Sequence, residues 1–174
     1  QGPTPGTITP YTGYSDNPIA PKVGATGIRT TGKVLVDGAN ICGGGISNIL
    51  SDNGSKKDQY RFGSGIKDAS KVKLVNGAVV QGYGPIKYLR NKSVYKHSNS
   101  FAEENVSAGY GLENVGSVYV ENSEVHGGDI LTVPSNCDTS GRCKGNGIAG
   151  SGIKGATDIQ IIGDSLITGG SSTN

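Results

Sequence analysis

The chain has 174 residues, a formal net charge of +2, 30 glycines, and neither methionine nor tryptophan. That length suits one domain or a piece of one, and so small a charge argues against a nucleic-acid partner. Aliphatic bulk is too thin for a globular α/β core, and no apolar run approaches the length needed for membrane insertion. A chain without Met implies that a leader was removed, leaving Gln1 as the mature N-terminus, or that the chain is part of something longer. The first case suits a secreted protein, extracellular or held at a cell surface.

Residues 1–22 hold five of the seven prolines and form an extended arm rich in Pro, Thr and Gly, which cannot be helical. Thr7, Ile8 and Thr9 read as a short strand, with Tyr11 and Tyr14 beyond it. Such an arm is ordered only when something ties it down, so it is a candidate assembly arm.

From residue 23 onward one motif recurs four times, at 27–44 (GIRTTGKVLVDGANICGG), 65–82 (GIKDASKVKLVNGAVVQG), 111–128 (GLENVGSVYVENSEVHGG) and 152–169 (GIKGATDIQIIGDSLITG). The four copies align without a gap. In each, an aliphatic pair alternates with a variable residue: Val34 and Val36 around Leu35, Val72 and Leu74 around Lys73, Val118 and Val120 around Tyr119, Ile159 and Ile161 around Gln160. Period two means a strand with one buried and one wet face. A bend follows at Gly38, Asn76, Asn122 and Gly163, residue types that tolerate a left-handed backbone. A second short run then places Ile41, Val79, Val125 and Leu166 inward, and the unit closes on glycine. The column Arg29, Lys67, Glu113, Lys154 is expected outside, with Glu113 exposed between cations and worth little.

One unit cannot bury its own apolar face, whereas stacked copies cover one another about 4.8 Å apart. The aliphatic pairs, the Asn/Gly bend and the closing glycines (Gly43-Gly44, Gly127-Gly128, Gly169-Gly170) resemble the right-handed parallel β-helix, the pectin-lyase-like architecture. The resemblance implies an all-β solenoid of about four coils spanning 23–174, with long loop insertions. The handedness comes from the resemblance alone, and the architecture serves many functions. The competing architecture is a β-sandwich whose strands look alike by chance.

The insertions carry the distinctive chemistry. The first, 45–62, is polar. The second, 83–108, brings Tyr83, Lys87, Tyr88, Arg90, Lys92, Tyr95 and Lys96 together before any acid appears. Cations interleaved with flat rings suit an anionic glycan; the alternative is a solvated loop whose tyrosines pack on the solenoid. In the third, 129–151, Cys137 and Cys143 flank a loop that a disulfide could close. Cys42 is left over and is expected as a buried thiol. Three cysteines so distributed lack metal-ligand spacing, and nothing calls for a cofactor. Asn53, Asn91 and Asn105 begin glycosylation sequons within the insertions.

If the chain is an enzyme, the residues to inspect are Glu121, Tyr119, Lys73 and His126. The resemblance implies carboxylates, or a Lys or Tyr base, on an outward sheet face. None of the paired-aspartate or histidine motifs of polygalacturonase-like families is present, and four units give a groove of only roughly 15–20 Å. The ends decide between readings. The tail after Gly170 is too short to cap a solenoid, so another surface has to cover its apolar end. Subunits that stack or exchange arms would make a filament of a structural protein. Otherwise the chain belongs to a longer carbohydrate-binding or polysaccharide-degrading β-helix, of the tailspike-like or pectin-lyase-like kind.

Overall fold

A computed structural model describes residues 22–45, 59–84, 86–89, 105–133 and 146–173. Unit one contributes β1 (Lys22–Val23), β2 (Ile28–Arg29), β3 (Lys33–Asp37) and β4 (Asn40–Cys42). Unit two contributes β5 (Gln59–Arg61), β6 (Ile66–Lys67), β7 (Lys71–Val75), β8 (Val79–Gln81) and β9 (Ile86–Leu89). Unit three contributes β10 (Asn105–Ser107), β11 (Leu112–Glu113), β12 (Ser117–Glu121), β13 (Glu124–His126) and β14 (Ile130–Val133). Unit four contributes β15 (Asn146–Ile148), β16 (Ile153–Lys154), β17 (Asp158–Ile162), β18 (Leu166–Thr168) and β19 (Ser172–Thr173).

The described residues are all-β, without helix, and every strand pairing is parallel. Strands stack by unit into five sheets: β1-β5-β10-β15, β2-β6-β11-β16, β3-β7-β12-β17, β4-β8-β13-β18 and β9-β14-β19. This is the arrangement of a β-solenoid, in which each unit touches mainly its neighbours. Val34, Val72, Val118 and Ile159 stand in one column, as the alternation requires. The inward columns of the middle units (Ile66, Val72, Leu74 and Val80; Leu112, Val118, Val120 and Val125) form the core. Each such side chain contributes about 1.5–3 kcal/mol by burial.

The expected bend is present. Gly38, Asn76, Asn122 and Gly163 all take the left-handed backbone, with φ of 61°, 58°, 47° and 65°. The gapless alignment fails just beyond it. Two residues separate the strands in units one and three (38–39 and 122–123), but three do so in units two and four (76–78 and 163–165). The inward column is therefore Ile41, Val80, Val125 and Ile167, and Val79 and Leu166 face outward beside Glu124. In a strand of period two, one extra residue at the bend exchanges the faces. The added residues interlock with the shorter bends. Ala78 donates its N–H to Ser123 Oγ (3.2 Å), and the buried Ser123 hydroxyl donates to the Glu121 carbonyl (2.8 Å).

The repeat is also larger than its motif. β5, β9, β10, β14 and β15 lie in segments expected as loops, yet they join the first and fifth sheets. Between those sheets and the other three runs a seam of backbone hydrogen bonds. Gly44 N–H donates to Ala25 O (2.6 Å), Gly63 to Gly44 (3.0 Å), Tyr83 to Gly63 (3.0 Å), Gly109 to Tyr83 (3.1 Å), Gly128 to Gly109 (2.8 Å), Gly150 to Gly128 (2.9 Å) and Gly170 to Gly150 (2.7 Å). Here the end of each motif is pinched against its beginning. A Cβ on Gly63, Gly109 or Gly150 would collide with the carbonyl of the seam residue one unit earlier. Seam positions need glycine because backbone meets backbone.

Candidate functional site

Because inward residues alternate with outward ones, the third sheet presents a four-strand outer face. Its columns are Lys33-Lys71-Ser117-Asp158, Leu35-Lys73-Tyr119-Gln160 and Asp37-Val75-Glu121-Ile162. Three of the four residues singled out for chemistry meet here. Lys73 Nζ lies 5.1 Å from the Tyr119 ring centroid, within cation–π range. Tyr119 Oη donates to Glu121 Oε2 at 3.0 Å. That bond to a carboxylate holds the Tyr119 phenol above the usual phenol range, because ionisation would place two anions side by side. The trio forms an amphiphilic ledge suited to holding a ligand.

His126 is not part of this ledge. It lies in the fourth sheet, where Nε2 meets Glu124 Oε2 at 2.7 Å and Nδ1 meets Thr168 Oγ1 at 2.8 Å. The imidazole thereby ties unit three to unit four.

Of the residues expected to bind a ligand, Tyr83 lies flat on Phe62, with ring centroids 5.3 Å apart and planes at 7°. It stands at a seam position that is glycine in the other units, and its ring covers Gly45. Lys87 and Tyr88 lie on β9, in register with Leu131 and Thr132 of β14. Arg90, Lys92, Tyr95 and Lys96 lie outside the described residues, as do the arm residues Thr7, Ile8, Thr9, Tyr11 and Tyr14 and the pair Cys137 and Cys143. Cys42 is exposed, not buried: it is outward in β4, beside Gln81. Among the described residues no three of His, Cys, Asp and Glu cluster as a metal site.

Glu113 departs most from expectation. It keeps its column with Arg29, Lys67 and Lys154 but is only 8% exposed. Ser64 Oγ donates to Glu113 Oε2 at 2.7 Å, and Lys67 Nζ lies 3.0 Å from Oε1. Burial by itself pushes this carboxyl up. The Ser64 and Lys67 hydrogen bonds, with the charges of Lys67 and Arg61, outweigh it, so the carboxyl sits below its ordinary range. Arg29 pairs instead with Asp68 (2.9 Å), and Lys154 donates to Tyr110 Oη (3.0 Å). Asp68, Asn114 and Gly155 form a second left-handed column at the first bend of units two, three and four, with φ of 63°, 50° and 73°. The Asp/Asn/Gly composition of that column was its sequence signal.

The largest apolar exposure among the described residues is at unit four. Ile159 and Ile161 occupy inward columns yet are 47% and 51% exposed, and Ile162 and Leu166 are exposed beside them. All of β17 lies open, whereas its neighbour β12 alternates buried and part-buried positions. The other end differs: Val36 of unit one is 3% exposed and its inward neighbours Ile28, Val34 and Ile41 are part-buried, while Val23 and the outward Leu35 are exposed. No protein-family model, curated protein or solved structure matches this chain.

Proposed function

We propose that the protein is a secreted structural subunit of an extracellular filament or surface assembly, joined by stacking of solenoid ends or by exchange of the 1–22 arm. In this reading the stacked units are four coils of a parallel β-helix of the pectin-lyase-like kind. The observation that carries the reading is the uncovered inner column of unit four. Two isoleucines half in water, on the free edge of a parallel sheet, are a surface that another strand layer would cover. Covering them returns about 25 cal/mol for each Å² of apolar surface removed from water. A head-to-tail contact that does not close on itself propagates as a filament.

The test is size-exclusion chromatography across a concentration series, with electron microscopy of the same material. The expected outcome is a mass that rises with concentration and elongated particles one solenoid wide. A compact monomer at every concentration overturns the reading. Deleting residues 1–22 separates the two routes, since arm exchange is lost without the arm and end stacking is not.

A second reading, binding of an anionic glycan, is supported by the Lys73–Tyr119–Glu121 ledge with Lys33 and Lys71 beside it. Retention on an acidic polysaccharide that Tyr119→Ala abolishes would favour it.

A further inference from the structure

We infer that unit four of one copy pairs with unit four of a second, head to head across a twofold axis at Gln160. This rests on the stacking reading and makes the partner a second copy of this chain. Such a joint closes on itself, so growth beyond the pair runs through the 1–22 arm, the other route of that reading.

Among the described residues the inner column is open at one end of the stack. Ile159 and Ile161 are 47% and 51% exposed, whereas Val36 at the unit-one end is 3% exposed. The surface that matches unit four in apolar character is therefore another unit four.

Its free edge is close to a palindrome. β17 is flanked by three-residue bends, 155–157 before it and 163–165 after it, whereas units one and three have unequal bends around the same strand. A twofold axis through Gln160 lays bend on bend and sets β16 against β18 of the second copy. Ile159 then stands opposite Ile161 of that copy, and Ile153 opposite its Ile167. The backbone agrees with this register. The carbonyls of Gly152, Lys154, Ile162 and Thr168 accept N–H bonds from Leu112, Asn114, Asn122 and Gly127 of unit three, at 2.8, 2.9, 3.2 and 2.9 Å. Backbone groups alternate in direction along a strand, so Ile153, Ile159, Ile161 and Ile167 turn their N–H and C=O to the free edge. These are the residues whose side chains point inward. Each opposed pair would exchange both N–H···O bonds and bury two isoleucines.

Charge and seam fit the same axis. Lys154 falls beside Leu166 of the second copy, Asp158 beside its Ile162 and Asp164 beside its Ala156, so no charge meets its like. The axis exchanges Gly150 with Gly170, so glycine faces glycine where backbone runs against backbone. A slip of one residue would set inward isoleucines against outward positions.

The test is disulfide trapping in the full chain on a Cys42→Ser background, with mass read by sedimentation velocity. Position 160 lies on the axis in a pair without hydrogen bonds, with Cα atoms about 4.5 Å apart. Gln160→Cys should therefore give a covalent dimer under mild oxidant. Asp158→Cys should not, until Ile162→Cys is added to it. Ile161→Lys should weaken association at least tenfold, because it carries a charge into the joint, while the dilute chain melts close to wild type. If Gln160→Cys is not trapped although mass still rises with concentration, the head-to-head joint is overturned and the stacking reading stands. Equal trapping of Gln160→Cys and Asp158→Cys overturns the register. A wild type that is monomeric at every concentration overturns both together.

Discussion

Units three and four are written in the same pattern and are buried in different ways. Val118 and Val120 are 2% and 0% exposed, and Ile159 and Ile161, one strand spacing away, are about half exposed. The larger side chain lies in the wetter place. A unit supplies a face, and what lies over that face makes it a core. The same contrast holds for glycines: Gly127 is enclosed by the backbone of unit four, and Gly169 in the same column is open.

Matched substitutions would break or sharpen this contrast. The largest effect is expected from Gly127→Ala, where a Cβ collides with a carbonyl that belongs to the paired seam; a loss of at least about 3 kcal/mol in denaturant unfolding is expected. Gly169→Ala in the dilute chain should change unfolding by less than about 0.5 kcal/mol. Equal losses in the two variants would mean that unit four is enclosed as unit three is. Next in size, Leu112→Ala removes a fully buried side chain from unit three and should cost about 2–5 kcal/mol. Ile161→Ala, half in water, should cost less than about 1 kcal/mol in dilute solution.

Glu113 and Lys154 give a smaller contrast within one column. The Glu113 carboxyl is held below its ordinary value of 4.5 in the folded chain. Its stabilisation is therefore complete above that value and is lost as pH falls through the lower folded value. Glu113→Gln should cost about 1.5–3 kcal/mol at neutral pH and flatten the acid limb of the stability curve. Lys154→Gln, on the exposed unit-four strand, should shift unfolding by less than about 0.5 kcal/mol at any pH. The smallest effect belongs to the outer ledge. Tyr119→Phe removes one hydrogen bond to Glu121 on the outer face and should leave the unfolding midpoint nearly unchanged, checked by the same unfolding curves.

The repeat was legible because it is written in residue chemistry. Val34, Val72, Val118 and Ile159 each begin an aliphatic pair around one variable residue, and Gly38, Asn76, Asn122 and Gly163 each tolerate a left-handed backbone. Features that depend on counting were not. The extra residue in the bends of units two and four left Val79 looking as apolar as Val80, and only pairing shows which one is inward. β9 and β14, with sequences IKYL and ILTV, share no alternation with the motif, so their stacking was invisible. Of the candidate site, the joining of Lys73, Tyr119 and Glu121 followed from the columns. The removal of His126 to another sheet followed from the bend.

The sequence by itself determined that this chain folds as stacked, parallel, glycine-closed units, because period-two alternation and left-handed bend residues are local properties of the backbone. Only the tertiary structure decided burial. Glu113 is enclosed because Ser64 and Lys67 are brought to it across a unit boundary, and Ile161 is open because, among the described residues, no further strand layer lies over it. Burial is a relation between units, and a column position becomes a core, an ion pair or a surface according to what is stacked against it.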